Sequence, residues 1–590
     1  MGTNNMTPDR LEAEGRFDAF SNGEILHNKK KNHLPAMGWN SWNAFGSGNT
    51  EALTKAMADK IVELGLDKLG YKYIVLDDGC YKDMRVDGKL SNEEVKFPSG
   101  FRALSDYIHE KGLKFGMYND IGSNLCAGAE VGTCGHEKDD AQSYIDWAVD
   151  FLKVDNCYYL WDNATFSNPE NARYTFAPNI KAIRIDNNEY QVKEALASDN
   201  DGNCHITGDR ATLEQDFVTG LGTYDGTGPD ASPIGLRSSE LIFDITSDEE
   251  KEIALNVLYA TGKREGVGRW LQVAVGNELF FDDFLKETDN EDEFTWSESI
   301  LVQLKKGHNE VRLMNHRRQE NTLNSYARLL KELVSLSPDK DIIYSACEWG
   351  KTQPQNWAYK VCDSWRILND ITFRVGSDGD YGVGTWTGDY TCSVTTQYNK
   401  AVIMDEFAGL DKGWNDPDML MIGMNGLDDT QNKTHMTMWC MMNSPLMLGL
   451  DLRRVEKGDN LYRIIANEDI IALNQDSLGI QAKRVFSTLA EKEPDKEYIK
   501  DTNRVDILAK PLSGNRFALS FINVSQEERH EKFSIALCDL KKFFGDWIYK
   551  SDKYLVKDLW SGETKEVSGK VFEIEGLNAC DNVTLLVTPV

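Results

Sequence analysis

The sequence predicts an α/β chain: a (β/α)8 TIM barrel, interrupted by an inserted β-sandwich of jelly-roll type and followed by a C-terminal antiparallel β domain. Three observations predict it. Short apolar segments alternate with helical patterns of ten to fifteen residues, as in βαβ units that build a parallel sheet. Those apolar segments end, one after another, in carboxylates and aromatics, and the C-terminal ends of barrel strands are where such folds place their chemistry. The texture changes twice, near residues 176 and 479, to short segments that partly alternate in polarity between Gly-rich and acidic turns, which is sandwich grammar.

In chain order, a first strand is expected over 34–42, followed by a helix from Glu51 to Leu64 with Thr50 as its N-cap. A second strand, 71–78, ends in Asp77 and Asp78. A helix over 100–111 is stopped by Gly112 and leads to a third strand, 113–120, that carries Tyr118 and Asp120. After a helix at 139–149 comes Phe151-Leu-Lys-Val-Asp-Asn-Cys157, a buried strand that delivers Lys153 and Asp155 to its end. A lysine and an aspartate at the end of an apolar strand need partners or a function. The pattern resumes with a helix at 321–336 and strands at 341–349, 364–370, 413–420 and 445–451, the last preceded by an amphipathic helix at 434–442. The expected organisation is a leader (1–33), a discontinuous catalytic barrel (34–175 and 319–478), an inserted sandwich (176–318) and a terminal β domain (479–590).

Composition narrows the partners. A formal net charge of −30 is unsuited to nucleic acid or an anionic membrane surface, both of which need clustered Lys and Arg. No apolar run is long enough to span a bilayer, and residues 1–33 lack the apolar centre of a secretion signal. The expectation is a cytoplasmic protein, or a secreted one if a signal segment has been removed. Eleven cysteines without a CxxC pair suggest neither a zinc framework nor a disulfide scaffold.

The strand-end residues include Asp77, Asp78, Asp120, Asp155, Glu348, Asp370 and Asp418, with Lys153, Arg366, Trp42, Tyr118 and Trp349. Carboxylates and amino groups hold hydroxyls, aromatic faces stack on the C–H side of a pyranose, and two carboxylates flanking a glycosidic bond can cleave it. The alternative is an oxygen-ligated Mg²⁺ or Mn²⁺ site, which does not require a Lys and an Arg beside the carboxylates.

The motifs Met37-Gly-Trp-Asn-Ser-Trp42, Leu76-Asp-Asp78, Lys153-Val-Asp-Asn-Cys157, Cys347-Glu-Trp-Gly350, Ser364-Trp-Arg366 with Asp370, and Gly413-Trp-Asn-Asp-Pro-Asp-Met419 together resemble glycoside hydrolase family 27, the α-galactosidases and α-N-acetylgalactosaminidases. The wording is closest to the plant-type α-galactosidases. The resemblance implies a retaining double displacement without a cofactor, with Asp155 as nucleophile and Asp370 as acid and then base, their carboxyls about 5–5.5 Å apart. It implies that Asp77 and Asp78 hold O4 and O6 of galactose, that Lys153 sits near O3 and O4, and that Trp42, Tyr118, Trp349, Arg366, Asp418 and Met419 form the rest of the cup. Glu348 is expected to face C2, where the N-acetylgalactosaminidases carry a small Ser. Cys126 and Cys157 match positions that pair beside the active site, and Cys347 and Cys362 match a second pair found in part of the family. Both aspartates of the 77–78 pair argue for a hexose over β-L-arabinopyranosides. The insert's closing run, 304–313, resembles jelly-roll carbohydrate-binding modules, which implies either a sugar site or a shaping role, and a structural calcium held by acidic loops. Family members range from monomers to homo-oligomers. Outside this class, the alternative is a non-catalytic galactose-binding protein on the same barrel.

Overall fold

The computed structural model describes residues 33–158, 177–197, 203–222, 236–261, 270–388, 392–545 and 551–590; the expected leader falls almost wholly outside them. Eight parallel strands, Met37–Asn40, Tyr73–Val75, Lys114–Asp120, Phe151–Asp155, Ile343–Cys347, Ser364–Arg366, Trp414–Asp416 and Leu446–Leu448, lie side by side in chain order, with the first also paired to the eighth. The ring closes where Leu420, just beyond the seventh strand, bridges in parallel to Leu448.

Strand periodicity assigns the two faces. Residues at i, i+2 and i+4 share a side. On the fourth strand Leu152 and Val154 turn outward into the large core under the helices, as do Ile74, Phe115, Tyr344, Ala346 and Trp365 on other strands. Phe151 points inward and joins Tyr73, Val75, Ile343, Met419 and Met447 in a separate apolar cluster inside the barrel, with Trp42 packed against it. Lys153 and Asp155 stand above Phe151 on the same face, so one strand supplies an apolar floor, then a cation, then a carboxylate. Gly38 is required here: a Cβ would lie 2.1 Å from the Tyr73 carbonyl oxygen and 2.8 Å from its Cβ.

The helix Glu51–Leu64 spans its expected residues, and the Thr50 side chain accepts from the Leu53 N–H. Most strands are shorter than their apolar runs predict, because the polar residues at their ends accept loop amides instead of continuing the ladder. The helix expected at 434–442 starts earlier, at Asp429, where Asp428 and Gln431 form a capping box. It is not amphipathic: Asn432 and Thr434–Met441 are all buried. The terminal domain covers what would have been its wet face, with Trp560 Nε1 donating to Thr437 Oγ1 (3.0 Å) and Asn582 Nδ2 donating to Thr434 Oγ1 (2.9 Å).

Between the fourth and fifth barrel strands the chain forms two facing antiparallel sheets. One orders Glu278–Phe284, Trp270–Val275, Gly307–Met314, Glu240–Ser247 and Cys204–Thr207; the other is built around Asn179–Ile185 and Lys251–Ala260. Leu241, Phe243, Ile245, Leu255, Val257, Val273 and Val311 fill the space between them. The terminal domain is a six-stranded antiparallel sheet covered by a two-stranded one. No helix among the described residues is long and apolar enough to cross a membrane.

A buried charge pair fastens the terminal domain to the barrel. Arg504 and Asp506 have fully buried side chains 3.0 Å apart. Arg504 Nη2 also donates to Asn399 Oδ1 (2.6 Å), and Tyr398 Oη donates to Asp506 Oδ2 (3.0 Å). Removing one member leaves the other charge uncompensated in a dry interface. Asp506→Ala should therefore cost about 3–5 kcal/mol in denaturant unfolding, whereas Asp501→Ala on the exposed turn nearby should change stability little.

Candidate active site

The pocket is assembled from strand ends. Asp155 is buried at the end of the fourth strand. Its Oδ2 accepts from the Tyr118 hydroxyl (3.1 Å) and its Oδ1 from the Asn156 N–H (2.9 Å). Lys153, two residues earlier, lies 5.5 Å from the Tyr118 ring centroid and ion-pairs with Asp77 Oδ2 at 2.7 Å. That same oxygen accepts from Asn40 Nδ2 at 2.9 Å. Asp78 faces the other way: its Oδ2 accepts from the Ala127 N–H (2.6 Å) and Oδ1 from Gly79 N–H (2.6 Å). It thereby holds the loop next to Cys126, which is disulfide-bonded to Cys157. The two loops flanking Asp155 are thus tied together, covalently and through Asp78.

Two strands along the ring, Arg366 on the sixth strand is 3 % exposed. Its Nη2 lies 2.9 Å from Asp418 Oδ2 and 3.1 Å from Asp370 Oδ1, whose side chain is 49 % exposed. The guanidinium therefore bridges a buried anion and one at the rim. Asp418 holds its neighbours in turn: its carboxylate also accepts from the Ile371 and Met419 N–H groups, at 2.8 and 2.7 Å. Its φ of 78° is rare outside glycine, and the bond to its own following amide is the kind that lets Asp occupy this region.

Burial dominates the electrostatics. The Asp155 carboxyl is pushed up to about 6 chiefly by burial; Lys153 lowers it and the charge on Asp370 raises it further. Lys153 lowers the Asp155 carboxyl by less than burial raises it, and the direct partner of Lys153 is Asp77. Burial likewise lifts Asp78 to about 6, and Asp120 to about 8 with Asp155 the next cause.

The Cys-Glu-Trp-Gly turn departs from the simplest expectation. Glu348 is fully buried, and its Oε1 accepts from both the N–H (2.6 Å) and the hydroxyl (2.7 Å) of Thr352. Trp349 sits at φ 61°, a strained setting for an aromatic residue. Gly350 is needed because a Cβ there would lie 2.1 Å from the Ile367 carbonyl oxygen. Cys347 and Cys362, expected as a second disulfide, are free buried thiols. Cys347 Sγ instead accepts from Arg366 Nη1 at 3.6 Å, and Cys362 is packed in the outer core.

Sequence reasoning misses two contributors, Asn40 and Lys351, and names a third, Asp120, without giving it a role. Asn40 lies within a motif, but nothing in that motif marks it as a partner of Asp77. Asp120 accepts from the N–H groups of Gly122 (2.6 Å) and Cys157 (2.7 Å), fixing the turn after Asp155. Lys351 is 3 % exposed, donates to the Asn156 carbonyl and lies 4.4 Å from the Trp349 ring centroid. A loop lysine usually reads as solvated, so only its nearness to Trp349 in sequence could have flagged it.

The insert presses on this same turn. Gln355 Nε2 and Asn356 Nδ2 both donate to the Leu236 carbonyl at 2.9 Å. Ser238 Oγ donates to Gln353 Oε1 (3.1 Å), and Gln319 Nε2 donates to Ser238 Oγ (2.8 Å) and to the Thr352 carbonyl (2.9 Å).

With this geometry in place, the comparisons are consistent with one another. The sequence profile of the family described as Alpha galactosidase A matches residues 34–175 and 313–476, and that described as Alpha galactosidase C-terminal beta sandwich domain matches residues 502–580. An alpha-galactosidase of Cyamopsis tetragonoloba is 26% identical over 92% of this chain and 84% of its own length. Among solved structures, the alpha-galactosidase of Saccharomyces cerevisiae with raffinose superposes with a TM-score of 0.57 at 22% identity, covering 94% of this chain and 98% of that one. A β-L-arabinopyranosidase of Geobacillus stearothermophilus does so with a TM-score of 0.55 at 15% identity, covering 96% and 99%.

If the insert restrains the turn after the fifth strand, releasing it should loosen that turn selectively. The double substitution Gln355→Ala and Asn356→Ala should raise amide hydrogen exchange across 350–357 by about ten-fold, following loss of roughly 1.5 kcal/mol of hydrogen bonding, while exchange in the 505–512 strand of the terminal domain stays as in the parent protein.

Proposed function

Because the chain belongs to glycoside hydrolase family 27, the alpha galactosidase A family, we propose that it is a retaining α-galactosidase releasing terminal α-linked galactose from oligosaccharides, polysaccharides or glycoconjugates. The observation that carries the reading is the pair of strand-end carboxylates: buried Asp155, fixed by Tyr118, and rim-standing Asp370, tethered by Arg366, whose charge acts on Asp155.

In this reading Asp155 attacks the anomeric carbon, the glycosidic C–O bond breaks, and Asp370 gives its proton to the departing oxygen. Asp370 then takes a proton from water, whose oxygen attacks the anomeric carbon and breaks the ester to Asp155. Two inversions retain the configuration. Burial that makes Asp155 costly to ionise also strips it of water, so the carboxylate is reactive once formed. No step runs through a metal or cofactor.

Lys153, Asp77 and Asp78 would hold the galactose hydroxyls, and Trp42, Tyr118, Trp349 and Met419 would wall the ring. Glu348 favours galactose over N-acetylgalactosamine by bulk: locked to Thr352, it fills volume that a small residue would leave for an acetamide. The arabinopyranosidase likeness keeps the pentose reading open to test. The disulfide between Cys126 and Cys157 suits an oxidising compartment better than the cytoplasm expected from the N-terminal sequence. The contacts through Leu236 and Ser238 favour a shaping role for the insert.

The test is turnover of aryl α-galactoside, α-N-acetylgalactosaminide and β-L-arabinopyranoside. The first should lead, and Asp155→Ala should lower it on the order of 10⁴-fold or more; preference for either other sugar, or activity surviving in Asp155→Ala, would overturn the proposal. The acid side of the pH profile follows from Asp155. With its carboxyl at about 6 and ionisation required for attack, kcat/KM should fall about ten-fold for each unit below that pH. A profile flat down to pH 4 would rule out this assignment.

A further inference from the structure

The outer face of the insert's five-stranded sheet carries a second cluster of chemistry-bearing side chains, remote in the chain from the barrel motifs. Asp244 and Glu310 are directly opposite each other on antiparallel strands. Like charges so placed repel. At the next positions along this face the same pair of strands solves the problem conventionally, with Arg312 Nη2 2.6 Å from Glu240 Oε1. At Asp244 no lysine or arginine is within ion-pairing distance among the described residues. Two imidazoles are there instead: His205 Nδ1 lies 3.3 Å from Asp244 Oδ2, and His308 Nε2 lies 3.3 Å from Asp244 Oδ1.

Strand alternation puts all four on one side. Leu241, Phe243 and Ile245 fill the sandwich core, so Asp244 faces out; His308 and Glu310 flank the buried Asn309; and His205 lies opposite Ile242, two residues from Asp244. One ligating atom each from Asp244, His308 and Glu310 lies within 4.8 Å of the others. That spacing is close to what one ion would require of ligands each about 2 Å from it. Two adjacent strands supply these three and a third supplies His205, so the backbone fixes their spacing without a loop having to order.

We propose that Asp244, His308 and Glu310 form a binding site for a divalent transition ion of the zinc class, with His205 orienting Asp244 from the neighbouring strand. The donor set is one imidazole nitrogen and two carboxylates. Nitrogen donors suit zinc, cobalt, nickel or copper, while calcium takes oxygen ligands only. The calcium implied by the jelly-roll resemblance therefore does not fit this cluster. An ion here neutralises the opposed carboxylates and pins two strands of the sheet, so it stabilises the insert by binding the folded state alone. The proposal is independent of the hydrolase reading, because none of its residues belongs to the barrel pocket.

The full chain, free of any polyhistidine tag, should be titrated calorimetrically with zinc and with calcium, and with cobalt by visible absorption. One zinc per chain is expected. Its affinity should weaken at least about ten-fold in each of His205→Ala, His308→Ala and Glu310→Gln, while calcium neither binds there nor displaces zinc. Cobalt absorption should appear in the parent protein and vanish in the double histidine variant. These side chains are on the surface, so the variants leave no cavity; unchanged circular dichroism and galactoside turnover would verify their fold. Absence of zinc binding, zinc affinity unaltered in the double variant, or calcium binding with equal strength would each overturn the site.

Discussion

The pocket depends on the cost of placing charge in a barrel's dry interior. Arg366 is buried there and Lys153 largely so, and neither could be without an anion at hydrogen-bond distance. Asp77 serves Lys153 at 2.7 Å, and Asp418 serves Arg366 at 2.9 Å. These two pairs divide the labour. The first fixes a cation beside a carboxylate where sugar hydroxyls would bind. The second fixes a cation that reaches onward to Asp370 at the rim. Asp155 has no such salt bridge among the described residues; a phenol and a backbone amide hold it, and burial pushes its carboxyl up. A nucleophile locked to a cation would be ionised more readily but would have to break that contact to attack. The arrangement keeps the stabilising charges one residue layer away.

Much of this was legible in the sequence because strand periodicity is strict. Phe151, Lys153 and Asp155 share a face by spacing alone, so an apolar residue, a cation and a carboxylate in that order already describe a barrel interior rising toward a polar mouth. The same holds for Tyr73, Val75 and Asp77. Less legible was where a side chain turns once its strand has ended. Asp77 and Asp78 are adjacent yet serve different loops, and Glu348 turns back to Thr352. Those orientations are set by backbone that approaches from elsewhere, such as the Ile367 carbonyl that makes Gly350 obligatory. Helix 429–441 shows the same limit at larger scale: its pattern does not announce burial on every side, because the surface that covers it, at Trp560 and Asn582, comes from more than a hundred residues downstream.

The insert illustrates how an addition can be accommodated without disturbing the ring. It enters after the fourth strand and returns to the helix before the fifth, leaving the parallel pairing of those strands intact from Phe151 with Ile343 to Asp155 with Cys347. Most of its own core is separate from the barrel's, but Leu236 and Trp270 belong to the barrel's apolar cluster, with Phe284 packed against it. Beside that apolar contact runs a polar one: carbonyl and hydroxyl groups of Leu236 and Ser238 meet amide side chains of Gln319, Gln353, Gln355 and Asn356. Such an interface is directional, since each amide must align with its acceptor. It transmits the position of the sandwich to the turn behind Trp349 more faithfully than an apolar contact of equal size, which could slide.

That coupling bears on why Trp349 can remain in a strained backbone setting. A positive φ at a bulky residue costs of order 1–3 kcal/mol and persists only where the surroundings over-determine it. Here Gly350 fits beneath a strand-end carbonyl, and Glu348 locks to Thr352. Lys351 is buried against the indole and donates to the Asn156 carbonyl. Thr352 is tied to the insert through Gln319, whose amide reaches both the Thr352 carbonyl and the Ser238 hydroxyl. Asn156 directly follows Asp155, so the strained turn and the strand that carries the buried carboxylate are joined through one lysine. A Trp349 held in that way cannot relax without disturbing the backbone next to Asp155, which makes the two turns a single mechanical unit.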